Sequence, residues 1–147
     1  MKNESFGKYI GAINRRSQSL INKKLEGIEI GSGQYEFFYL ISQNQGISQK
    51  ELSERLEIGK ATTAKAVKVL MKNGYVRREK DLEDKRFYKL YLTEEGTKIA
   101  HLVTPALEEI MAIYSSGFTD EESVYVLKVL KKILNNVYNA TKDMDLD

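Results

Sequence analysis

Lys60, Lys65, Lys68, Lys72, Arg77 and Arg78 follow one another along a stretch that holds no aspartate or glutamate between Ile58 and Arg78. On a helix, positions 61, 65, 68 and 72 share a face, with 60, 62 and 64 at its N-terminal edge. That face reads Lys60, Ala61, Thr62, Ala64, Lys65, Lys68, Lys72. Alanine permits close approach and can touch a thymine methyl. Threonine can bond a phosphate or a base edge, and lysine can bind guanine O6/N7 or a phosphate. A short helix of this kind has the shape and charge to enter a DNA major groove. The same pattern also describes an ordinary amphipathic helix with a solvated lysine face, so the helix alone does not decide. The lack of arginine, asparagine and glutamine on it argues against strong bidentate base readout.

The surrounding pattern supplies the elements that must hold this face in place. Apolar residues from Phe6 to Leu25 recur at helical spacing, with an interruption around Arg16 and Ser17. A second helix is expected to start at Ser32 or Gly33 and end near Asn44–Gly46. Ser48 and Glu51 form an S-x-x-E capping box that starts a third helix, with Leu52 and Leu56 pointing inward. Ile58–Gly59 then makes the turn into the lysine-bearing helix, whose Thr63, Ala66, Val67, Leu70 and Met71 form its apolar face. Asn73–Gly74 stops it. Tyr75–Lys80 and Phe87–Thr93 alternate as two strands joined by the charged loop 81–86. Thr93 caps a fifth helix, in which Pro105 predicts a kink or break. Gly117 ends it, and Thr119 and Glu122 form a second capping box. The last helix carries Val124, Leu127, Leu130, Ile133, Leu134 and Val137, with Val126 and Val129 widening the stripe. The polar tail 142–147 is expected to fray.

Composition narrows the function classes. With 147 residues, 41% hydrophobic and 30% charged, the chain can bury one core or two small interdependent lobes. No stretch approaches the ~20 apolar residues of a spanning helix, and no signal-peptide run opens the chain, so a cytoplasmic, membrane-free protein is expected. The absence of cysteine removes disulfides, thiolate metal sites and thiol switches. The net charge of +2 is unevenly spread: residues 1–47 carry +2, residues 48–89 carry +5 and residues 90–147 carry −5. The basic excess thus lies on the groove-reading segment and the acidic excess on the C-terminal helices.

The segment SQKELSERLEIGKATTAKAVKVLMKNGYVRR, followed by DKRFYKLYLT, resembles the MarR family of winged helix-turn-helix regulators. The second piece matches the family's wing pattern D-x-R-x-x-x-L-x-L-T at Asp84, Arg86, Leu90, Leu92 and Thr93. The order of elements from residue 6 to about 138 fits as well. The resemblance implies a mainly α fold with a small β-hairpin wing, as a single domain over 1–147. Within it, 31–93 would be the winged helix-turn-helix lobe, and 5–30 and 94–140 the dimerisation helices. It implies that Arg86 enters a minor groove and that Asp84 pairs with a neighbouring arginine to hold the wing, the alternative being a surface hairpin with a turn-stabilising Asp–Arg pair. Ser48 and Gln49, at a helix N-terminus, are candidates for phosphate contact through side chain and backbone N–H, and Ser48 can equally be only a cap. Family members often carry arginine where Lys65 stands and serine where Ala61 and Ala64 stand. Affinity here would therefore lean on phosphates and DNA shape, and the operator sequence cannot be read from the helix.

The expected function is sequence-specific binding of double-stranded DNA by a homodimeric regulator, more a repressor than an activator, on a pseudo-palindromic operator. The broad apolar face of the last helix supports a homodimer, although that face could also cover the monomer's own core. The resemblance further implies a small aromatic or phenolic acid, with salicylate as the usual probe, in a cleft between the dimerisation helices and the lobe. Arg16, Tyr35, Phe38 and Tyr39 are the nearest candidates to bind it, or else core and surface residues. No cofactor, metal or catalytic group is expected: His101, the only histidine, lies mid-helix far from any nucleophile-like serine. The alternative from another class is a dimeric winged-helix module that binds a protein and no DNA.

Overall fold

The computed structural model describes residues 4–31 and 33–144. The chain runs through α1 (Phe6–Lys24), α2 (Tyr35–Gln43), β1 (Ile47–Ser48), α3 (Gln49–Leu56), α4 (Lys60–Lys72), β2 (Val76–Lys80), β3 (Tyr88–Leu92), α5 (Glu94–Tyr114) and α6 (Asp120–Thr141). It is a mainly helical fold with one small antiparallel sheet, the winged-helix architecture. Ser32, one of the two expected starts of the second helix, lies outside the described residues, as does the end of the polar tail. The helix itself begins at Tyr35 after Gln34, whose side chain gives no cap.

The sheet has three strands, in the order β1-β3-β2, where two were expected. Ile47 and Ser48 pair with Leu90 and Lys89, and β2 pairs with β3 from Val76↔Leu92 to Lys80↔Tyr88. A two-residue strand offers no alternation to detect, and its second residue doubles as the cap of α3. Ser48 Oγ accepts from the Glu51 backbone N–H at 3.0 Å. The reciprocal half of the expected capping box is not made: the Glu51 carboxylate binds Arg55 at 2.7 Å instead. At Thr119 and Glu122 both halves form, at 3.1 Å each.

The core gathers Phe38 and Ile41 of α2, Leu52 of α3, Thr63, Val67 and Leu70 of α4, Leu90 of β3 and Val103 of α5. Phe38 meets Tyr75 edge-on, with ring centroids 6.2 Å apart. Seven of these eight positions are apolar, and their burial supplies most of the drive for the lobe to close.

The long helices behave differently. α1 is unbroken through Arg16 and Ser17, but only its C-terminal part enters the core, through Ile21. Phe6, Tyr9, Ile10 and Ile13 remain exposed. α5 is likewise continuous, so Pro105 does not break it. Pro105 and His101, whose carbonyl loses its helical partner, both sit on the exposed side, where water can supply the missing bond. α6 has no buried residue. Val126, Val129 and Ile133 are half-buried, while Val124, Leu127, Leu130, Leu134 and Val137 stay exposed. No helix of the described residues is long and apolar enough to cross a membrane.

Candidate nucleic-acid interface and adjoining cleft

The angle between α3 and α4 is set by a short turn. Glu57 closes α3 in the left-handed region, at φ 52° and ψ 44°, and Gly59 starts α4. The turn thus begins one residue before the expected Ile58–Gly59. Thr63, Ala66, Val67 and Leu70 then face inward. Lys60, Ala61, Thr62, Ala64, Lys65, Lys68 and Lys72 are all exposed, so the face read from the sequence is the free face of the helix. Ala64, Lys65, Lys68 and Met71 of α4 line a groove of about 490 Å³ to which β2 contributes Arg78. Arg78 stands in the basic run but had no site role in the sequence. Its place became visible only when β2 was folded back beside α4, with the guanidinium carbon 4.4 Å from the Tyr88 ring centroid. Arg77 lies over Tyr91 and is paired with Glu79.

At the wing, Asp84 and Arg86 form a two-pronged pair. Arg86 Nε and Nη2 donate to the two carboxylate oxygens at 2.9 and 2.7 Å, and the Arg86 backbone N–H adds a third bond at 3.1 Å. These bonds hold the Asp84 carboxyl below the usual carboxylate range and raise Arg86 above its ordinary value. A depressed acid keeps its pair until the pH falls through that lowered value, so the wing contact is intact throughout the neutral range. The partner of Asp84 is therefore Arg86 itself, which remains largely exposed with 82% of its side chain accessible. Asp81 Oδ1 accepts from the Glu83 backbone N–H at 2.9 Å, shaping the same loop. Ser48 is half-buried at its cap, and the half-buried Gln49 has an enclosed Oε1 without a partner.

Hydrogen bonds at Thr93 tie the wing and the end of α4 to the start of α5. Thr93 Oγ1 donates to the Gly74 carbonyl at 2.5 Å and accepts from the Gly96 backbone N–H at 2.9 Å, while Thr93 N–H donates to Tyr75 O at 3.0 Å. A Cβ on Gly96 would run into the Tyr75 carbonyl. Thr93 is legible in the sequence as a cap, whereas the only sequence signal for Gly96 is a glycine in the first turn of an otherwise regular helix.

Behind the lobe, Ile21, Tyr35, Glu36, Tyr39, Leu40, Leu56, Leu107, Ile110, Met111 and Tyr114 enclose a cleft of about 320 Å³. It draws its wall from α1, α2, α3 and α5. Tyr35 and Tyr39 are on that wall. Phe38 is not, being fully buried in the core, and Arg16 is exposed and absent from the lining. The arginine-and-aromatic carboxylate clamp is thus not assembled. The Tyr35 hydroxyl donates to Glu36 Oε1 at 3.2 Å. Burial, and then the Glu36 charge, push the phenol well above its ordinary value, so it stays protonated.

The comparisons with known proteins agree with this architecture. A family model described as MarR family matches residues 30–87. The HTH-type transcriptional regulator YybA of Bacillus subtilis (strain 168) is 31% identical over 128 residues, covering 87% of this chain and 85% of that protein. The chain belongs to the MarR family. It is a transcriptional regulator of that family and not an enzyme. A MarR transcriptional regulator from Methanosarcina mazei Go1 superposes with a TM-score of 0.73 at 36% identity, covering 92% of this chain and 97% of that one. A MarR family regulator from Listeria monocytogenes, solved with a 26mer DNA, gives a TM-score of 0.80 at 29% identity over 93% and 91% of the two chains.

Proposed function

We propose that this MarR family protein is a cytoplasmic homodimer that binds double-stranded DNA at a pseudo-palindromic operator and represses transcription until a small aromatic effector releases it. The observation that carries the DNA reading is the groove between α4 and β2, where Lys65, Lys68 and Arg78 converge on one exposed, acid-free surface. In this reading residues 31–93 are the reading head. Lys60, Ala61, Thr62, Ala64, Lys65 and Lys68 face a major groove, Ser48 and Gln49 meet phosphate, and Arg86, steadied by Asp84, enters a minor groove. Arg78 joins them as a phosphate contact. The related Listeria regulator solved with a 26mer DNA supports DNA binding as the activity of this fold.

The second copy is called for by 5–30 and 94–140. Exposed apolar side chains run along both terminal helices, from Phe6 and Ile10 to Leu130, Leu134 and Val137, and a water-exposed stripe of that length favours a partner. Two reading heads related by a two-fold axis then fit half-sites about 10 bp apart. The effector cleft bordered by Tyr35 and Tyr39 also touches Leu56 of α3, so an occupant would press on the helix-turn-helix.

Genomic selection of bound DNA by the purified protein, followed by titration across salt concentrations, tests the reading. Log affinity is expected to fall linearly with log salt at a slope of about −0.9 per phosphate neutralised. Affinity that ignores salt, or no selected sequence, would favour a protein partner instead.

A further inference from the structure

The cleft differs in charge from the acid-binding pocket that an aromatic-acid effector needs. It adjoins a second hollow of about 270 Å³, and the two share Tyr35, Glu36 and Tyr114. Among the described residues, Glu36 is the one charged side chain on either wall, and it has no ion-pair partner. Lys24 of α1, three residues beyond the cleft-lining Ile21, is on neither wall and is paired with Glu109 at 3.1 Å. The first turn of α2 offers a partial positive charge of roughly half a unit, which the full Glu36 carboxylate in that turn more than offsets. The polar groups point the same way. Gln18 lines the second hollow, and its Oε1 is a buried acceptor with no donor. Tyrosine rings add negative faces. A carboxylate ligand entering here would lose water and find no counter-charge.

We propose that the cleft takes a compact arylalkyl ammonium, its ring among Ile21, Leu107 and Ile110 and its cation at the Glu36 rim. This rests on the effector reading and fixes the ligand's charge. Isothermal titration of the full-length protein with three matched probes tests it: 2-phenylethylamine, 2-phenylethanol and 3-phenylpropanoate. The amine is expected to bind tightest and the carboxylate weakest, and Glu36→Gln to weaken the amine roughly tenfold while sparing the alcohol. Glu36 is exposed, so the variant keeps the fold. Carboxylate binding as tight as the amine, or an amine affinity indifferent to Glu36→Gln, overturns the proposal. Failure of all three probes to bind overturns it as well, and with operator affinity intact leaves the DNA reading standing. If the amine binds as expected and operator affinity does not change, the ligand class holds and the effector reading falls.

Discussion

α4 and α6 are both amphipathic helices, yet only one of them finishes its packing within the chain. α4 buries Thr63, Ala66, Val67 and Leu70 against its own lobe and leaves lysines outside. α6 is longer, at 22 residues, and buries nothing, so leucines and valines stand in solvent. An apolar stripe therefore marks a face suited to packing without saying whether what covers it lies in the same chain. What separates the two helices is neighbourhood: α4 is hemmed in by α3, β2 and the core, whereas α6 follows a turn at the molecule's edge.

Substitution can break that contrast, and the largest effect is expected on α6. Leu127→Glu with Leu134→Glu places two charges where a second copy would pack, each costing several kcal/mol if buried. Light scattering should show a monomer with unchanged helix content, and operator affinity should collapse by on the order of 10³-fold, since burying both charges costs more than the ~4 kcal/mol that ratio represents. A dimer of normal stability would remove the proposed interface. Next comes Leu70→Ala, which cuts a fully buried side chain from the lobe. Denaturant unfolding should show a loss of about 2–5 kcal/mol. Leu130→Ala, on the free face of α6, should cost far less when measured on the separated protomer.

Gly96→Ala ranks below these. Its new methyl meets the Tyr75 backbone carbonyl, so α5 must shift away from the Thr93 joint. A loss of about 1–3 kcal/mol is expected from overpacking at this site. If the thermal midpoint is unmoved, the joint is looser than its hydrogen bonds suggest.

How far the sequence alone reached depends on whether a signal was local. Ser48, Thr93 and Thr119 cap their helices because capping needs only a hydroxyl and a backbone N–H three residues on, and the wing residues recur at fixed offsets. The strand at Ile47–Ser48 escaped because it exists only through pairing with Leu90 and Lys89. The half-made box at Glu51 escaped because Arg55, one turn later, competes for the carboxylate. Pro105 leaves α5 continuous, since a lost hydrogen bond on a wet face does not end a helix. The cleft was the hardest. Its charge depends on which side chains four helices bring together, and Glu36 replaced Arg16 only after folding.

The smallest effects concern the reading surface, where single exposed cations act one at a time. Arg86→Ala removes the guanidinium and frees the Asp84 carboxylate it now neutralises, so a wing near phosphates gains an unpaired negative charge. Operator affinity should fall about tenfold, the scale of one charge-assisted contact, with the melting temperature held, because the pair is exposed. Lys65→Ala should do less: if Lys65 meets phosphate, the salt slope falls by ~1 and all sequences weaken alike. If it meets a base, discrimination at one position relaxes and the slope stays. The double variant Arg86→Ala, Lys65→Ala separates wing from helix, since contacts in different grooves should add within about 0.5 kcal/mol. Strong non-additivity would mean that wing and α4 engage DNA as one coupled surface, and the division between a reading helix and an anchoring wing would have to be abandoned.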